Sequence, residues 1–315
     1  MQVAHIRTEG GEKETAVSRQ FAILSVSALV STIILIMVGS IVRVTGNGLG
    51  CPDWPLCHGQ AIPPFYLSAW VEFIHRLFGA AVVLQVGLLI FMSWRQYRSR
   101  PYIYLISKIA AVVLVIQVIL GGIHVIYELP RWTGWIHTAI AMLIAGLVAS
   151  WVALTNNSLR QLHQRAQQTL AHTRLIFWTT ISAVATYILL LTGSLVTRTG
   201  ASLVCPNFPY CGLSIIPDYL RPIVWIQMTH RYTAYIVAFT ILMVLWQLLR
   251  HARQDIILRR FALTLTSLIV IQFSLGMANV LLALPMWSRV LHLGTGATIW
   301  VVMVLLTVTL RFENA

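Results

Sequence analysis

Four histidines lie at matched positions inside long apolar stretches of this 315-residue sequence: His75, His137, His230 and His292. An offset of 155 residues aligns the first with the third and the second with the fourth. A lone histidine in a membrane span is often structural or a proton relay, but polar groups there are costly and usually functional. Two imidazoles at equal depth suit axial ligation of a heme iron, whereas zinc prefers three or four tetrahedral ligands. The two pairs therefore predict two heme sites.

The surroundings of the two pairs differ in the sequence. Glu72 precedes His75 by three residues, about one helical turn, so both side chains can face one cavity, and its counterpart in the second pair is Gln227. His124 likewise corresponds to Asn279. A carboxylate beside a heme site can act in proton transfer. We therefore expect chemistry at the first site, with Glu72 as the catalytic residue, and a permanently held, electron-passing heme at the second.

The composition indicates which elements must position these residues. The chain is 58% hydrophobic and 10% charged, with a net charge of +13. That is too apolar for a soluble domain, and the basic residues are expected in loops on one membrane face rather than at a nucleic-acid surface. Eight apolar runs are long enough to cross a bilayer as helices. They cover approximately 21–43, 71–93, 106–126, 134–155, 175–197, 224–249, 262–283 and 290–310.

The repeat that relates the histidines divides the spans into two groups of four. We predict an all-α integral membrane protein whose eight transmembrane helices form two tandem, pseudo-symmetric four-helix bundles. The second and fourth helices of each bundle would run parallel and lie diagonally across its core, so that paired imidazoles face each other. The predicted divisions are a cytoplasmic segment 1–20, a bundle 21–155 with the first heme site, a cytoplasmic linker 156–174, a bundle 175–310 with the second heme site and a cytoplasmic tail 311–315.

Lysine and arginine are distributed unequally between the two faces, 15 on the face with the termini and 7 on the other. The positive-inside rule therefore predicts that both termini are cytoplasmic. Two similar segments, VGSIVRVTGNGLGCPDWPLC (38–57) and TGSLVTRTGASLVCPNFPYC (192–211), would then lie outside, where thiols are oxidised. The expected disulfides are Cys51–Cys57 and Cys205–Cys211. A metal site using His58 is disfavoured, because the second copy has Gly212 there.

Heme propionates need cations at the water boundary. Arg76 and Arg231 directly follow histidines of the two pairs and are predicted propionate contacts. Four further arginines fall on the same face, and the sequence does not distinguish among them: Arg43, Arg131, Arg198 and Arg289.

The helix start Glu72-Phe-Ile-His75-Arg76, the other three paired histidines and the loop TGNGLGCPDWPLCHG resemble bacterial heme A synthase over nearly the whole chain. The resemblance implies an oxidoreductase of the bacterial inner membrane. It would oxidise the C8 methyl of heme O to a formyl group by successive hydroxylations, giving heme A. It also implies that His230 and His292 ligate a heme b cofactor, that His75 and His137 belong to the substrate site, and that Glu72 is essential. His124 lies outside the pattern and is expected near the heme edge.

The implied partners are membrane lipid, a heme O synthase as substrate donor and cytochrome oxidase as product acceptor. The electron acceptor and the formation of a homo-oligomer stay open. The alternative is a diheme cytochrome b that carries electrons from quinol without modifying heme. A prenyltransferase is excluded, because it needs acidic clusters for magnesium and Glu72 is the single acid in the predicted spans. A transporter is disfavoured, because broken helices are not evident.

Overall fold

The computed structural model describes residues 17–166, 172–209, 211, 221–251 and 255–312, and within them it is almost entirely helical. Among these residues, eight helices are long and apolar enough to cross a membrane, which confirms the predicted spans. Their bounds are α1 Arg19–Val44, α2 Leu67–Gln96, α3 Pro101–Ile126, α4 Arg131–Thr155, α6 His172–Thr199, α7 Pro222–His251, α8 Ile256–Leu281 and α9 Met286–Arg311. A ninth, shorter helix, α5 (Asn157–Ala166), lies between the two groups of four.

The turns that precede α4 and α9 share one backbone conformation. Each has two consecutive non-glycine residues with positive φ followed by a proline next to the first helical residue. The residues are Glu128, Leu129 and Pro130 before α4, and Ala283, Leu284 and Pro285 before α9. Left-handed conformations are uncommon outside glycine, so their recurrence at both places sets the two helices to begin in the same way.

The four long helices of each half contact one another in a ring. In the first half, α1 and α3 each pack against both α2 and α4; in the second, α6 and α8 each pack against both α7 and α9. The helices that carry the histidine pairs, α2 with α4 and α7 with α9, are therefore diagonal partners across a ring. This packing confirms the diagonal arrangement expected from the sequence.

The two halves meet through the packing of α9 on both α4 and α1, and of α4 on α6. The central stretches of α4 and α9 are 67% and 72% buried, against 17% to 39% for the other six long helices. Trp300 of α9 lies against Gly146 of α4, where a Cβ would stand 2.9 Å from its ring, and its Nε1 donates to the Met142 carbonyl at 2.8 Å. A small residue that admits a large neighbour is a common way for membrane helices to approach closely.

The polar segment 156–174, predicted as a linker, contains α5. Asn156 begins this helix by accepting hydrogen bonds from the backbone N–H of Ser158 and Leu159, as an N-cap residue does, and α5 packs against α4 and α9. Residues 1–16, 167–171 and 313–315 of the predicted cytoplasmic segments lie outside the described residues. The proposed domain boundaries stay predictions.

Candidate functional site

The four paired histidines occupy matched depths in their helices. His75 and His230 stand eight residues after the first residues of α2 and α7, and His137 and His292 stand six residues after those of α4 and α9. All four helices begin at the end of the protein that carries the disulfides, called here the cysteine-loop end. The His137 ring lies within electrostatic range of His75, and the His230 ring within range of His292. The structure thus brings each predicted pair together.

Each of these imidazoles rests against a glycine of a neighbouring helix in its ring of four. A Cβ built on the glycine would stand 2.9 to 3.5 Å from the histidine Cε1. The contacts are Gly39–His75, Gly121–His137, Gly193–His230 and Gly276–His292. These four glycine contacts allow the imidazole to approach the adjacent backbone and fix where the ring stands.

The ring nitrogens are incompletely satisfied within the described residues. Nδ1 of His75, His137 and His292 is buried without a hydrogen-bond partner, whereas Nδ1 of His230 lies 3.1 Å from the Thr192 hydroxyl. Amide nitrogens approach two of the rings, with Nε2 of Gln117 at 3.3 Å from His137 Nε2 and that of Gln272 at 3.4 Å from His292 Nε2. Buried imidazole nitrogens without partners are exceptions that call for an explanation, such as a ligand.

The metal-ligating side chains available at the site limit which metal ion or metal cofactor fits there. No group of three or more His, Cys, Asp or Glu side chains among the described residues is placed to hold a metal ion, which argues against a tetrahedral zinc site. Two diagonally opposed imidazoles at one depth match the axial ligands of a six-coordinate heme iron. The residues present therefore fit a heme in each half, with His75 and His137 as ligands in one and His230 and His292 in the other.

Glu72 gives the first half a buried carboxylate. Its Oε1 accepts from Nε of Arg76 at 3.3 Å, one turn further along α2, in the single ion pair found among the described residues. The counterpart Gln227 is also buried, but its Oε1 has no hydrogen-bond partner in the described part of the chain. The charge difference expected from the sequence is therefore accompanied by a different hydrogen-bond arrangement.

His124 adjoins the first histidine pair. Its ring lies parallel to that of His137, with centroids 6.3 Å apart and an interplanar angle of 16°, and its Nδ1 is 2.6 Å from the hydroxyl of Thr133. The corresponding residues of the second half, Asn279 and Ser288, keep the same contact at 2.7 Å. The position is thus structurally common to both halves, while only the first half places an imidazole there.

Both predicted disulfides, Cys51–Cys57 and Cys205–Cys211, are formed. Because Cys57 is in a disulfide, it has no thiolate to offer the alternative metal site at His58. Each loop is also held by an arginine of the following helix: Arg76 donates to three loop carbonyls at 2.7 to 2.8 Å, and Arg231 to three at 2.7 to 3.3 Å. The acceptors are Cys51, Asp53 and Leu56 in the first loop, and Cys205, Asn207 and Pro209 in the second. The propionate role predicted for these arginines stays a prediction.

The first cysteine loop contains polar contacts of its own. The carboxylate of Asp53 accepts from the backbone N–H of Gly59 at 2.7 Å and of His58 at 2.6 Å. These bonds, that from Gly59 foremost, hold the pKa of Asp53 below its usual range, because they stabilise the ionised form. His58 contacts the Gly50 carbonyl and the Tyr66 hydroxyl. The residue next to the disulfide therefore has a structural role in the loop.

The site contains residues that the sequence reasoning did not single out. They are the four glycines under the histidines, the glutamines Gln117 and Gln272, and Thr192. The repeated segments QVILGGIHV (117–125) and QFSLGMANV (272–280) carried a signal for the glutamines and for two of the glycines, since both recur at offset 155. Their contact with histidines of another helix is visible only once the helices are packed.

These features define a multi-pass α-helical membrane protein with two diagonal histidine pairs and two disulfide-closed loops. The sequence profile of the cytochrome oxidase assembly protein family matches residues 22–72, 64–149 and 142–304. The chain therefore belongs to that family. It is 29% identical over 238 residues to the heme A synthase of Bacillus cereus strain AH187, covering 74% of each chain. It is 26% identical over 244 residues to that of Bacillus pumilus strain SAFR-032, covering 75% of this chain and 78% of the relative.

Proposed function

We propose that this protein is a heme A synthase that oxidises the C8 methyl group of heme O to a formyl group. The observation that carries the proposal is the pairing of imidazoles across both four-helix rings together with a buried carboxylate, Glu72, one turn from His75, where the second half has Gln227. Family membership and the relatives named heme A synthase support the same assignment. Two successive hydroxylations, followed by loss of water from the geminal diol, are the proposed route; together they are a four-electron oxidation of the methyl carbon and require an external oxidant.

The second half is proposed to hold the heme b cofactor between His230 and His292. A bound heme would supply one-electron redox chemistry there. The Thr192 hydroxyl orients the His230 ring through Nδ1, as outer hydrogen bonds orient metal-ligating histidines, and the glycine contacts hold both rings in place. The first half offers His75 no such hydroxyl, because Val38 aligns with Thr192. This difference suits a resident cofactor in the second half and an exchangeable substrate in the first.

The first half is proposed to bind heme O between His75 and His137, with Glu72 as the proton-transferring group. Arg76 holds Oε1 of Glu72, which leaves Oε2 available to take or return a proton during oxidation of the methyl group. The same arginine holds the first cysteine loop, so the loop, the carboxylate and His75 are positioned together. His124 is a second group that can exchange a proton at this site.

We further propose that the cysteine-loop end faces away from the cytoplasm, with both termini inside, because basic residues are more frequent at the other end. The proposed partners are a heme O synthase that delivers substrate and a cytochrome oxidase that receives heme A.

The test is chromatography of the porphyrins extracted from the purified protein after expression with a source of heme O. We expect heme b together with heme O, its hydroxylated form or heme A. Two unmodified heme b groups and no altered porphyrin would instead assign the chain to quinol-linked cytochromes b. A purified protein that neither contains nor takes up iron porphyrin would refute both assignments.

A further inference from the structure

Three arginines converge at the cysteine-loop end where the two halves meet. Arg43 lies near the end of α1, Arg198 near the end of α6 and Arg289 in the first turn of α9. The Arg43 guanidinium lies within electrostatic range of both others. These three residues are called the seam arginines below. They are not produced by the repeat, because at offset 154 Arg198 aligns with Val44, and at offset 155 Arg289 aligns with Gly134.

Two of the seam arginines reach from the second half into the first. Nη2 of Arg198 donates to the Gly134 carbonyl of α4 at 3.2 Å, and its guanidinium fills the space that a side chain at Gly134 would occupy. Nη2 of Arg289 lies 3.4 Å from the Val44 carbonyl at the end of α1. The glycine in α4 thus admits a cation from the other half of the molecule.

The charge of the seam arginines is not balanced within the described residues. No carboxylate there forms an ion pair with any of them, since the one ion pair joins Arg76 to Glu72. The Nε atoms of Arg198 and Arg289 are buried and have no hydrogen-bond partner in the same part of the chain. Like charges held together, and N–H groups buried without acceptors, are both unfavourable. An anionic ligand with several acceptor oxygens would relieve both costs.

The position of the seam arginines indicates which anion they would bind. Gly134 lies three residues before His137 in α4, which places it about 4.5 Å nearer the cysteine-loop end. Arg43 lies four residues beyond Gly39, the glycine against His75, and so about 6 Å further toward the same end. Arg198 is also within electrostatic range of His124 and His137. The cations therefore stand on one side of the first histidine pair.

We propose that the seam arginines, with Arg198 foremost, bind the propionate carboxylates of the porphyrin held in the first half. The inference rests on the proposed function, because it takes the ligand of His75 and His137 to be a heme. Guanidinium groups match carboxylates with paired, charge-assisted hydrogen bonds. The predicted propionate ligand Arg76 already donates to three loop carbonyls and Glu72. The second half therefore completes the substrate site of the first.

The test compares heme O with its propionate dimethyl ester, each titrated into the full-length, heme b-loaded protein in detergent and followed by the Soret band. The variant is Arg198→Gln. The matched control is Arg131→Gln, an exposed arginine at the same end outside the cluster. We expect Arg198→Gln to weaken binding of the free acid by at least about tenfold, as for loss of a charge-assisted hydrogen bond. The dimethyl ester should bind wild type and variant equally, and Arg131→Gln should bind both as wild type does.

Each other outcome is decisive. Equal weakening of acid and ester in Arg198→Gln would assign Arg198 to packing and overturn the inference. Unchanged porphyrin binding with loss of co-purified phosphatidylglycerol would assign the cluster to a lipid phosphate and also overturn it. A wild-type protein that binds neither porphyrin at the first pair would instead refute the proposed function. The heme b spectrum shows whether each variant is folded. If Arg198→Gln lacks this spectrum, Arg198→Lys and Arg43→Gln are measured in its place. An affinity for free-acid heme O that is unchanged in both of these variants would overturn the inference.

Discussion

Glu72 is the side chain whose replacement best separates chemistry from binding. Glutamine has nearly the same shape and can still accept from Nε of Arg76, which lies 3.3 Å from Glu72 Oε1. Glu72→Gln should therefore keep the cysteine loop and the heme b spectrum but lower heme A formation by about 10²- to 10⁴-fold, because the transferable proton is lost. The measurement is turnover of heme O by chromatography.

The matched control is Gln227→Glu, which introduces a carboxylate at the equivalent position of the second half. It should leave heme A formation unrestored in the Glu72→Gln background. Normal heme A formation in Glu72→Gln alone would remove Glu72 from the mechanism.

His124 can be replaced by the residue that the protein itself uses in its second half. Asn279 accepts from Ser288 at 2.7 Å, so His124→Asn should keep a bond to Thr133 and the local fold. If His124 moves protons, the variant should bind heme O normally yet turn over about 10²-fold more slowly, with an altered pH profile. An unchanged rate and profile would show that His124 serves only as a hydrogen-bonded neighbour of His137.

At the scale of single residues, the sequence indicates which side chains are candidates for the site, but it does not indicate which of them are in contact. Spacing in the sequence selects the paired histidines and the cysteines as candidates, because each type is rare in apolar segments and recurs in both halves, and it selects Glu72 as an acid that only the first half has at that position. Arg198 could be placed only on a face of the membrane. It contacts Gly134 of α4, a residue 64 positions away in the chain, and no local pattern encodes that proximity.

At the scale of the helices, the glycine contacts set where the imidazoles stand. Alanine at Gly193 or Gly39 would place a Cβ 2.9 Å from the His230 or His75 ring, which forces the ring to move. Gly193→Ala should lose the low-spin heme b signal, and Gly39→Ala should keep that signal but bind heme O at least about tenfold more weakly. The measurements are absorption spectra of the purified variants and titration with heme O.

Gly79 and Gly87 of α2 provide the controls, since a Cβ at either would meet nothing within 4 Å. Alanine there should leave both signals unchanged. If all four substitutions behaved alike, the contacts between glycine and histidine would have no special role.

The elements themselves were largely predictable. An apolar run of about 20 residues has few alternatives to a spanning helix, so all eight were found, with ends displaced by a few residues where interfacial polar residues extend the helix. Helix α5 was missed because its sequence, NSLRQLHQRA, is polar, and its packing against α4 and α9 is a tertiary effect.

At the scale of the whole molecule, the contact of α4 with α9 couples the two halves. Gly146→Val should clash with the Trp300 ring, which a Cβ would approach to 2.9 Å, and should lower stability by about 1–3 kcal/mol, as overpacking does. Since the contact is shared, heme b should dissociate at a lower temperature even though the substitution lies in the other half. Thermal release of heme b measures this, with Gly79→Val in open space as the control.

The contact of α4 with α9 between the two halves could not be predicted from the sequence. The repeat predicted two groups of four helices but gave no reason for α4 and α9, rather than another pair, to lie at the centre. Both helices combine small residues with large ones, such as Gly146 and Trp300, but many membrane helices do so. Choosing among the faces requires the fit of particular side chains across the interface.

The central position of α4 and α9 has a consequence for how a porphyrin can enter and leave the protein. Helices α2 and α3 pack mainly within their own half, as do α7 and α8, so they form two separate flanks that border the lipid. A porphyrin dissolved in the bilayer could thus reach its imidazoles sideways, between helices, without entering water. The flanks are distinct, so under the proposed function the release of heme A from the first half requires no gap to open around the heme b of the second.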